Sequence, residues 1–164
     1  MKTFTITLAN LTSPREICPL LEARKCKYYN YTFQYNFGVI KFGKAADNEW
    51  MAGTWGNRLY RQAGGINGWG SYALHDTSAN KMREQMNIHF PTLTRNDVTI
   101  TVYDYTDELV GLDEKEIDRR LLNEEHELIK KHVEDYGDTP KLNIQCTKIR
   151  TKAMFDDFFE VEYD

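Results

Sequence analysis

The sequence lacks the features of a membrane-spanning or disulfide-rich protein. No apolar run approaches the roughly 18 residues that a transmembrane helix needs, so we expect no contact with a membrane interior. Cysteine is scarce, and the three residues, Cys18, Cys26 and Cys146, have no paired metal-ligand spacing, which disfavours a disulfide framework or a zinc site. Residues 1–12 alternate between apolar and polar types, so we predict a strand rather than a signal peptide, and a cytoplasmic protein.

An excess of positive charge is also absent. The chain has 21 Lys and Arg against 25 Asp and Glu, which gives a formal net charge of -4. Five of the acids lie in residues 156–164, which contain no base, so the rest of the chain is close to neutral. A protein that coats DNA without sequence preference works through a broad basic surface. The composition argues against such a coat but is compatible with a phosphate substrate bound at one site.

The pattern of apolar residues predicts one α+β domain covering residues 1–164. With 41% hydrophobic residues, the chain can form a substantial core. We expect a small, mostly antiparallel three-stranded sheet flanked by helices, with an extra N-terminal strand and helix and a C-terminal strand. Beyond the N-terminal strand, the predicted strands cover residues 27–35, 39–42, 98–102 and 155–163, and the predicted helices cover residues 14–23, 57–62, 78–86 and 113–133.

A β-hairpin with one aromatic face is predicted in the first third of the chain. Its first strand alternates polar residues with an aromatic series that comprises Tyr29, Tyr31, Phe33 and Tyr35. We expect a three-residue loop at Asn36 to Gly38, because a glycine in the last loop position favours that turn. This register pairs Tyr35 with Val39 and Phe33 with Lys41.

Lys41 would then share the aromatic face with Tyr31, its diagonal neighbour across the hairpin. Desolvation would lower the pKa of the Lys41 ammonium, and the lysine charge would lower the pKa of Tyr31. A tyrosinate assisted by a lysine is a competent general base. The alternative is an exposed or edge-strand lysine beside aromatic side chains that only pack in the core.

Several cationic side chains follow the hairpin. Lys44 comes directly after its second strand, and Arg58 and Arg61 lie three residues apart on the short predicted helix. The two arginines share one helix face and could clamp an anion such as phosphate. The alternative is a solvated helix face without a ligand.

The long predicted helix carries an acidic residue inside an apolar stripe. At about 100° per residue, Glu125 falls at the centre of this stripe. Glutamate is rarely buried unless it is paired or binds a cation. One interpretation is a buried salt bridge to Lys41 or Arg58, and another is a carboxylate that holds magnesium together with waters. The stripe consists of Ile117, Leu121, Leu122, Leu128, Ile129 and Val133.

Taken in order, these features resemble the motifs of the GIY-YIG nuclease family. The resemblance covers about residues 27–145, which would form the nuclease core of the domain. Its matching positions are Tyr31 for the tyrosine of the first motif, the segment KFGK from Lys41 to Lys44 for the second motif with Gly43 as its glycine, Arg58 in NRLYR for the family arginine, Glu125 in EHELIKKH for the family glutamate, and Asn143 in PKLN for the closing asparagine.

Two positions depart from the family pattern. Lys41 stands where the second motif usually has a tyrosine, a replacement that is similar to that of small restriction-type endonucleases within the family. The stretch between Gly43 and Arg58 is several residues longer than usual, so Arg61 is an alternative match for the family arginine.

The resemblance implies a divalent-metal-dependent DNA endonuclease of restriction or phage type. Glu125 would hold Mg²⁺ or Mn²⁺, Tyr31 with Lys41 would accept a proton from the attacking water, and Arg58 and Lys44 would contact the phosphate. Arg61 and Asn143 would support substrate binding. Cutting both DNA strands with one site per chain would favour a homodimer. The alternative function is a non-catalytic DNA- or protein-binding module on a degenerate GIY-YIG scaffold.

Overall fold

A computed structural model describes residues 1–36, 38–46, 58–69 and 77–143, apart from the side chains of residues 77 and 78. Within these ranges the protein has an α+β architecture with a four-stranded antiparallel sheet in the order β1-β4-β2-β3. The predicted C-terminal strand at 155–163 lies outside the described residues. The four strands are β1 (Lys2–Thr7), β2 (Tyr29–Tyr35), β3 (Gly38–Ala45) and β4 (Thr99–Asp104).

The prediction of a three-stranded sheet is wrong by one strand. The N-terminal strand does not lie apart from the sheet but pairs along its whole length with β4, from Lys2 opposite Asp104 to Thr7 opposite Thr99. Among the described strands it therefore lies at one end of the sheet, while β3 lies at the other.

Four of the described α-helices match the predicted positions to within a few residues, whereas the short helix at Thr106–Leu109 was not predicted. Asp113 begins the long α5 by accepting a hydrogen bond from the backbone N–H of Glu116, and Gly137 ends it with a left-handed backbone conformation, φ 82°. None of these helices is both long and apolar enough to cross a lipid bilayer. They are α1 (Ile17–Ala23), α2 (Arg58–Ala63), α3 (Thr77–His89), α4 (Thr106–Leu109) and α5 (Glu114–Tyr136).

The hairpin register is confirmed near Lys41 and differs at the turn. Phe33 lies opposite Lys41, as predicted. Tyr35, however, lies opposite Gly38 rather than Val39, because a β-bulge between Phe33 and Gln34 shifts the pairing by one residue. The strand sections on the Lys41 side of the bulge therefore keep the register on which the site prediction depends.

The two faces of the sheet are covered by different helices. Asn30 and Tyr31 are adjacent on β2, so their side chains point to opposite faces. Tyr31 donates a hydrogen bond to Gln62 of α2, whereas Asn30 donates one to the carbonyl of Leu121 on α5. The main hydrophobic cluster joins the sheet to α1, α2 and α3. Glu125, one turn after Leu121 on α5, belongs to the opposite face from Tyr31.

Among the described residues, the outer side of β3 is paired with a short segment at residues 142 and 143, here called the C-terminal segment. The backbone N–H of Leu142 donates to the carbonyl of Ile40 at 3.1 Å. The side chain of Asn143 continues this pairing, because its Oδ1 accepts from the backbone N–H of Phe42 at 2.8 Å and its Nδ2 donates to the Phe42 carbonyl at 2.9 Å. The segment thus satisfies backbone groups that an edge strand would otherwise expose.

Candidate active site around Glu125

Glu125 is buried in the middle of the helix face that packs on the sheet. Its side chain is only 4% exposed, which confirms the predicted position at the centre of the apolar stripe. The carboxylate divides the contacts of α5 into two apolar clusters. Toward the N-terminus, Ile117 and Leu121 pack with Tyr28 and Leu109, and toward the C-terminus, Ile129 and Val133 pack with Phe42.

Burial has the largest effect on the ionisation of Glu125. Removal of the carboxylate from water raises its pKa, while the positive charges of Lys41, Lys44 and Arg58 lower it without cancelling the effect of burial. Asp118 raises the pKa slightly further. The three cationic side chains are therefore close enough to act on the carboxylate, and they give its surroundings an excess of positive charge.

No direct ion pair accounts for the buried carboxylate within the described part of the chain. Among residues 1–36, 38–46, 58–69 and 77–143, Glu125 has no hydrogen bond through its carboxylate and no cationic nitrogen within 4.0 Å. The predicted alternative of a salt bridge to Lys41 or Arg58 is not formed at contact distance there. This arrangement leaves carboxylate oxygens available to a ligand.

The two lysines near Glu125 are held by different partners. Lys41 is 8% exposed, and its ammonium donates to the carbonyl of Leu142 at 3.2 Å. Lys44 forms an ion pair with Asp118 of α5 at 2.6 Å. Lys41 pairs with Phe33 and Lys44 pairs with Asn30, so the two lysines project from opposite faces of β3.

The two candidate arginines lie together on α2. Arg58 is the first described residue of this helix, Arg61 follows three residues later, and both side chains are half-buried. Arg58 acts on the charge of Glu125, whereas no such effect connects Arg61 with Glu125 among the described groups. Of the two arginines, Arg58 is therefore the one whose charge lowers the pKa of Glu125, although α2 and α5 pack on opposite faces of the sheet.

Tyr31 lies on the other face of the sheet and is fully buried, with 0% of its side chain exposed. Its ring crosses over Gly43, since a Cβ atom built on that glycine would lie 2.3 Å from the ring carbon Cζ. The Tyr31 hydroxyl donates to Oε1 of Gln62 at 2.5 Å, and the ring packs edge-on against Phe33. No hydrogen bond joins Tyr31 to Glu125 among the described residues.

Two residues of this neighbourhood were missed by sequence reasoning. Gln62 lies one turn after Arg58 on α2, and this spacing was the only available signal that it shares a face with the arginine. Asn30 precedes Tyr31 and contacts α5, but a buried asparagine cannot be recognised from an alternating strand pattern alone. Asn143, which was predicted as a supporting residue, binds the backbone of Phe42 and thereby fixes β3 beside Lys41.

The candidate residues include groups that could bind an anion and one that could bind a cation, and they come from both faces of the sheet. Lys41, Lys44 and Arg58 can attract a phosphate group, and the Glu125 carboxylate can bind a positive ion. Within the described ranges, no three or more His, Cys, Asp or Glu side chains come together as a metal-binding group. Any cation held by Glu125 would therefore have one carboxylate ligand in this part of the chain.

Comparisons with known proteins identify no relative of this chain. No family model, no curated protein and no solved structure matches it.

Proposed function

We propose that the protein is a divalent-metal-dependent DNA endonuclease of restriction or phage type that hydrolyses phosphodiester bonds and shares the GIY-YIG scaffold. The observation that carries this proposal is the burial of Glu125 between two apolar clusters without a contact ion pair among the described residues. Burial of an ionised carboxylate costs several kcal/mol unless other groups compensate. A bound cation would supply that compensation.

The residues fit a magnesium site with few protein ligands. Mg²⁺ prefers oxygen ligands, keeps several of its waters and is often bound through only one or two carboxylates together with substrate phosphates. Glu125 would hold the ion. When bound, the ion would polarise the scissile phosphate and stabilise the leaving oxygen.

The cationic side chains would bind and orient the DNA backbone. Arg58 would donate hydrogen bonds to a phosphate oxygen, and Lys44 and Lys41 would stabilise the negative charge that develops there. Arg61, on the next part of the α2 face, would contact a neighbouring phosphate. Asn143 would support the site by fixing the backbone of β3. Two copies of the chain would allow each site to cut one strand.

Tyr31 is assigned the transfer of a proton from the attacking water. Its hydroxyl is bound to Gln62 at 2.5 Å on the face of the sheet opposite Glu125, so this role requires the tyrosine side chain to leave that buried position and contact water near the carboxylate. Lys41 would favour the ionised tyrosine through its charge.

A cleavage assay with paired glutamate variants tests the proposal. Supercoiled and linear DNA would be incubated with purified protein in Mg²⁺ or in chelator. We expect the wild type to cut only with the metal, Glu125→Gln to lose cleavage, and Glu127→Gln, an exposed site on the same helix, to cut normally. Equal cleavage by both variants would contradict the proposal.

A second candidate function is a non-catalytic DNA- or protein-binding module on the same scaffold. The observation that favours it is the complete burial of Tyr31, whose hydroxyl is bound to Gln62 instead of facing solvent. In that case the protein would slow the migration of DNA in a gel-shift assay or bind a protein partner. No cleavage of DNA would occur at any metal concentration.

A further inference from the structure

Asn30 connects the hairpin to the helix that carries Glu125. Its side chain is 0% exposed, and its Nδ2 donates to the carbonyl of Leu121 at 3.1 Å and to that of Gly43 at 3.4 Å. Because both partners are acceptors, they fix which end of the amide carries the nitrogen. The oxygen of the amide must therefore point away from these two carbonyls.

The Asn30 amide lies next to the turn from which the Glu125 side chain extends. In an α-helix, the carbonyl of residue 121 is the acceptor for the backbone N–H of residue 125. Helical side chains lean toward the N-terminus, so the Glu125 side chain extends over the turn that contains Leu121. Lys44, the partner of Asn30 across the hairpin, also acts on the charge of Glu125.

Thr32 adds a second polar side chain on the same face of β2. It lies two residues after Asn30, is 1% exposed, and pairs across the hairpin with Phe42. Phe42 packs against Ile129, one turn after Glu125. Along α5, Glu125 therefore lies between Leu121, which accepts from Asn30, and Ile129, which packs against the cross-strand partner of Thr32.

Two oxygen atoms at this position lack partners. Among the described residues, neither Oδ1 of Asn30 nor Oγ1 of Thr32 has a hydrogen-bond partner, and both atoms are shielded from solvent. A buried oxygen without a partner is destabilising and requires an explanation, such as an ion or a water that it binds. The nearby Lys44 ammonium does not provide one, because it is directed to Asp118.

We propose that Asn30 Oδ1, Thr32 Oγ1 and the Glu125 carboxylate together form the protein ligands of one hard divalent cation, such as Mg²⁺. This inference rests on the proposed function and adds two neutral ligands to its metal site. One carboxylate with neutral amide and hydroxyl oxygens is a donor set that such ions accept, with waters in the remaining positions. Only one of the three protein ligands in this set is acidic.

Manganese titration of the full-length protein without DNA tests the ligand set. Chelator-treated protein would be titrated with Mn²⁺, and the free ion would be measured by its electron paramagnetic resonance signal. We expect the wild type to bind the ion and Glu125→Gln to lose binding. Thr32→Val should weaken binding by about 10-fold, and Asn30→Ala by at least as much. The matched controls Thr5→Val, at an exposed position of β1, and Glu127→Gln should bind as the wild type does.

Asn30→Ala also removes the hydrogen bonds to Leu121 of α5 and Gly43 of β3, so it could lose metal binding through a change in structure. Thr32→Val has no such effect and therefore keeps the test decisive. Valine has the shape of threonine and removes a hydroxyl without a partner, so the melting temperature of the metal-free variant should not fall. Normal Mn²⁺ affinity in Thr32→Val and Asn30→Ala, with loss in Glu125→Gln, would overturn the ligand set and leave the proposed function intact. A lower metal-free melting temperature with unchanged affinity in Thr32→Val would indicate a buried water instead and would equally overturn it. Equal Mn²⁺ binding by wild type and Glu125→Gln, or none by either, would overturn both proposals.

Discussion

Gly43→Ala should strongly destabilise the protein because the ring of Tyr31 occupies the space of the new methyl group. A Cβ at position 43 would lie 2.3 Å from Cζ, 2.5 Å from Cε2 and 2.5 Å from the hydroxyl oxygen of Tyr31. Ordinary contacts begin near 3.4 Å, so the ring would have to move by about 1 Å. Phe33 packs edge-on against the ring and Gln62 holds its hydroxyl, so such a movement disturbs both contacts.

The expected loss follows from these two contacts. Overpacking of a core costs about 1–3 kcal/mol. Displacement of the Tyr31 hydroxyl from Gln62 would add about 1–3 kcal/mol, since both groups are buried. We therefore expect the free energy of unfolding to fall by roughly 3 kcal/mol, a large part of the roughly 5–15 kcal/mol typical of a domain.

Urea unfolding followed by circular dichroism would measure this loss. Gly38→Ala is the matched control on the same strand, because its Cβ would meet the Tyr35 ring at an ordinary 3.4 Å. Removal of the Tyr31 ring in a Tyr31→Ala background should abolish most of the effect of Gly43→Ala, with a coupling energy of at least about 1 kcal/mol. Equal stability of the two glycine variants, or strict additivity with Tyr31→Ala, would refute the steric explanation.

Two further predictions concern Glu125 and Asn143. The pKa of Glu125 is raised by burial, so its contribution to stability is present below the unfolded pKa and is lost as the pH rises through the folded pKa. Metal-free Glu125→Gln, which does not titrate, should therefore gain stability relative to the wild type as the pH increases from 4 to 8, and urea unfolding across that range that shows no such trend would argue against a raised pKa. Asn143→Ala should lower the free energy of unfolding by about 2–4 kcal/mol because it leaves the buried N–H and C=O of Phe42 unpaired, whereas Asn80→Ala, at an exposed site, should have little effect in the same measurement.

Helical periodicity predicted the position of Glu125 because the face of a helix is determined by local geometry. The residues that share a face with Ile117 recur every fourth position, and this arithmetic needs no knowledge of the partner surface. The pairing of Phe33 with Lys41 was predicted from a turn that the structure does not have, because Gly38 pairs with Tyr35 and the bulge restores the predicted register only at Phe33.

Features that depend on distant partners could not be obtained in this way. The pairing of β1 with β4 joins segments that are far apart in the chain, so the alternating pattern of residues 2–7 could not show that they enlarge the sheet. The bulge beside Gln34 changes the register near the turn without a distinctive residue to mark it. Gln62 and Asn30 are ordinary polar residues whose importance arises only from the elements that pack over them.

The pairing of the C-terminal segment with β3 also bears on self-association through the sheet. An uncovered outer strand is a template for the addition of a foreign strand and for polymerisation. Leu142 and Asn143 occupy the outward backbone groups of Ile40 and Phe42 and so block that growth. Truncation of the chain before residue 140 would remove these hydrogen bonds, which would leave the backbone of β3 around Lys41 less well fixed and its outer groups open to another strand. The same few residues would therefore affect both aggregation and the geometry of the candidate site.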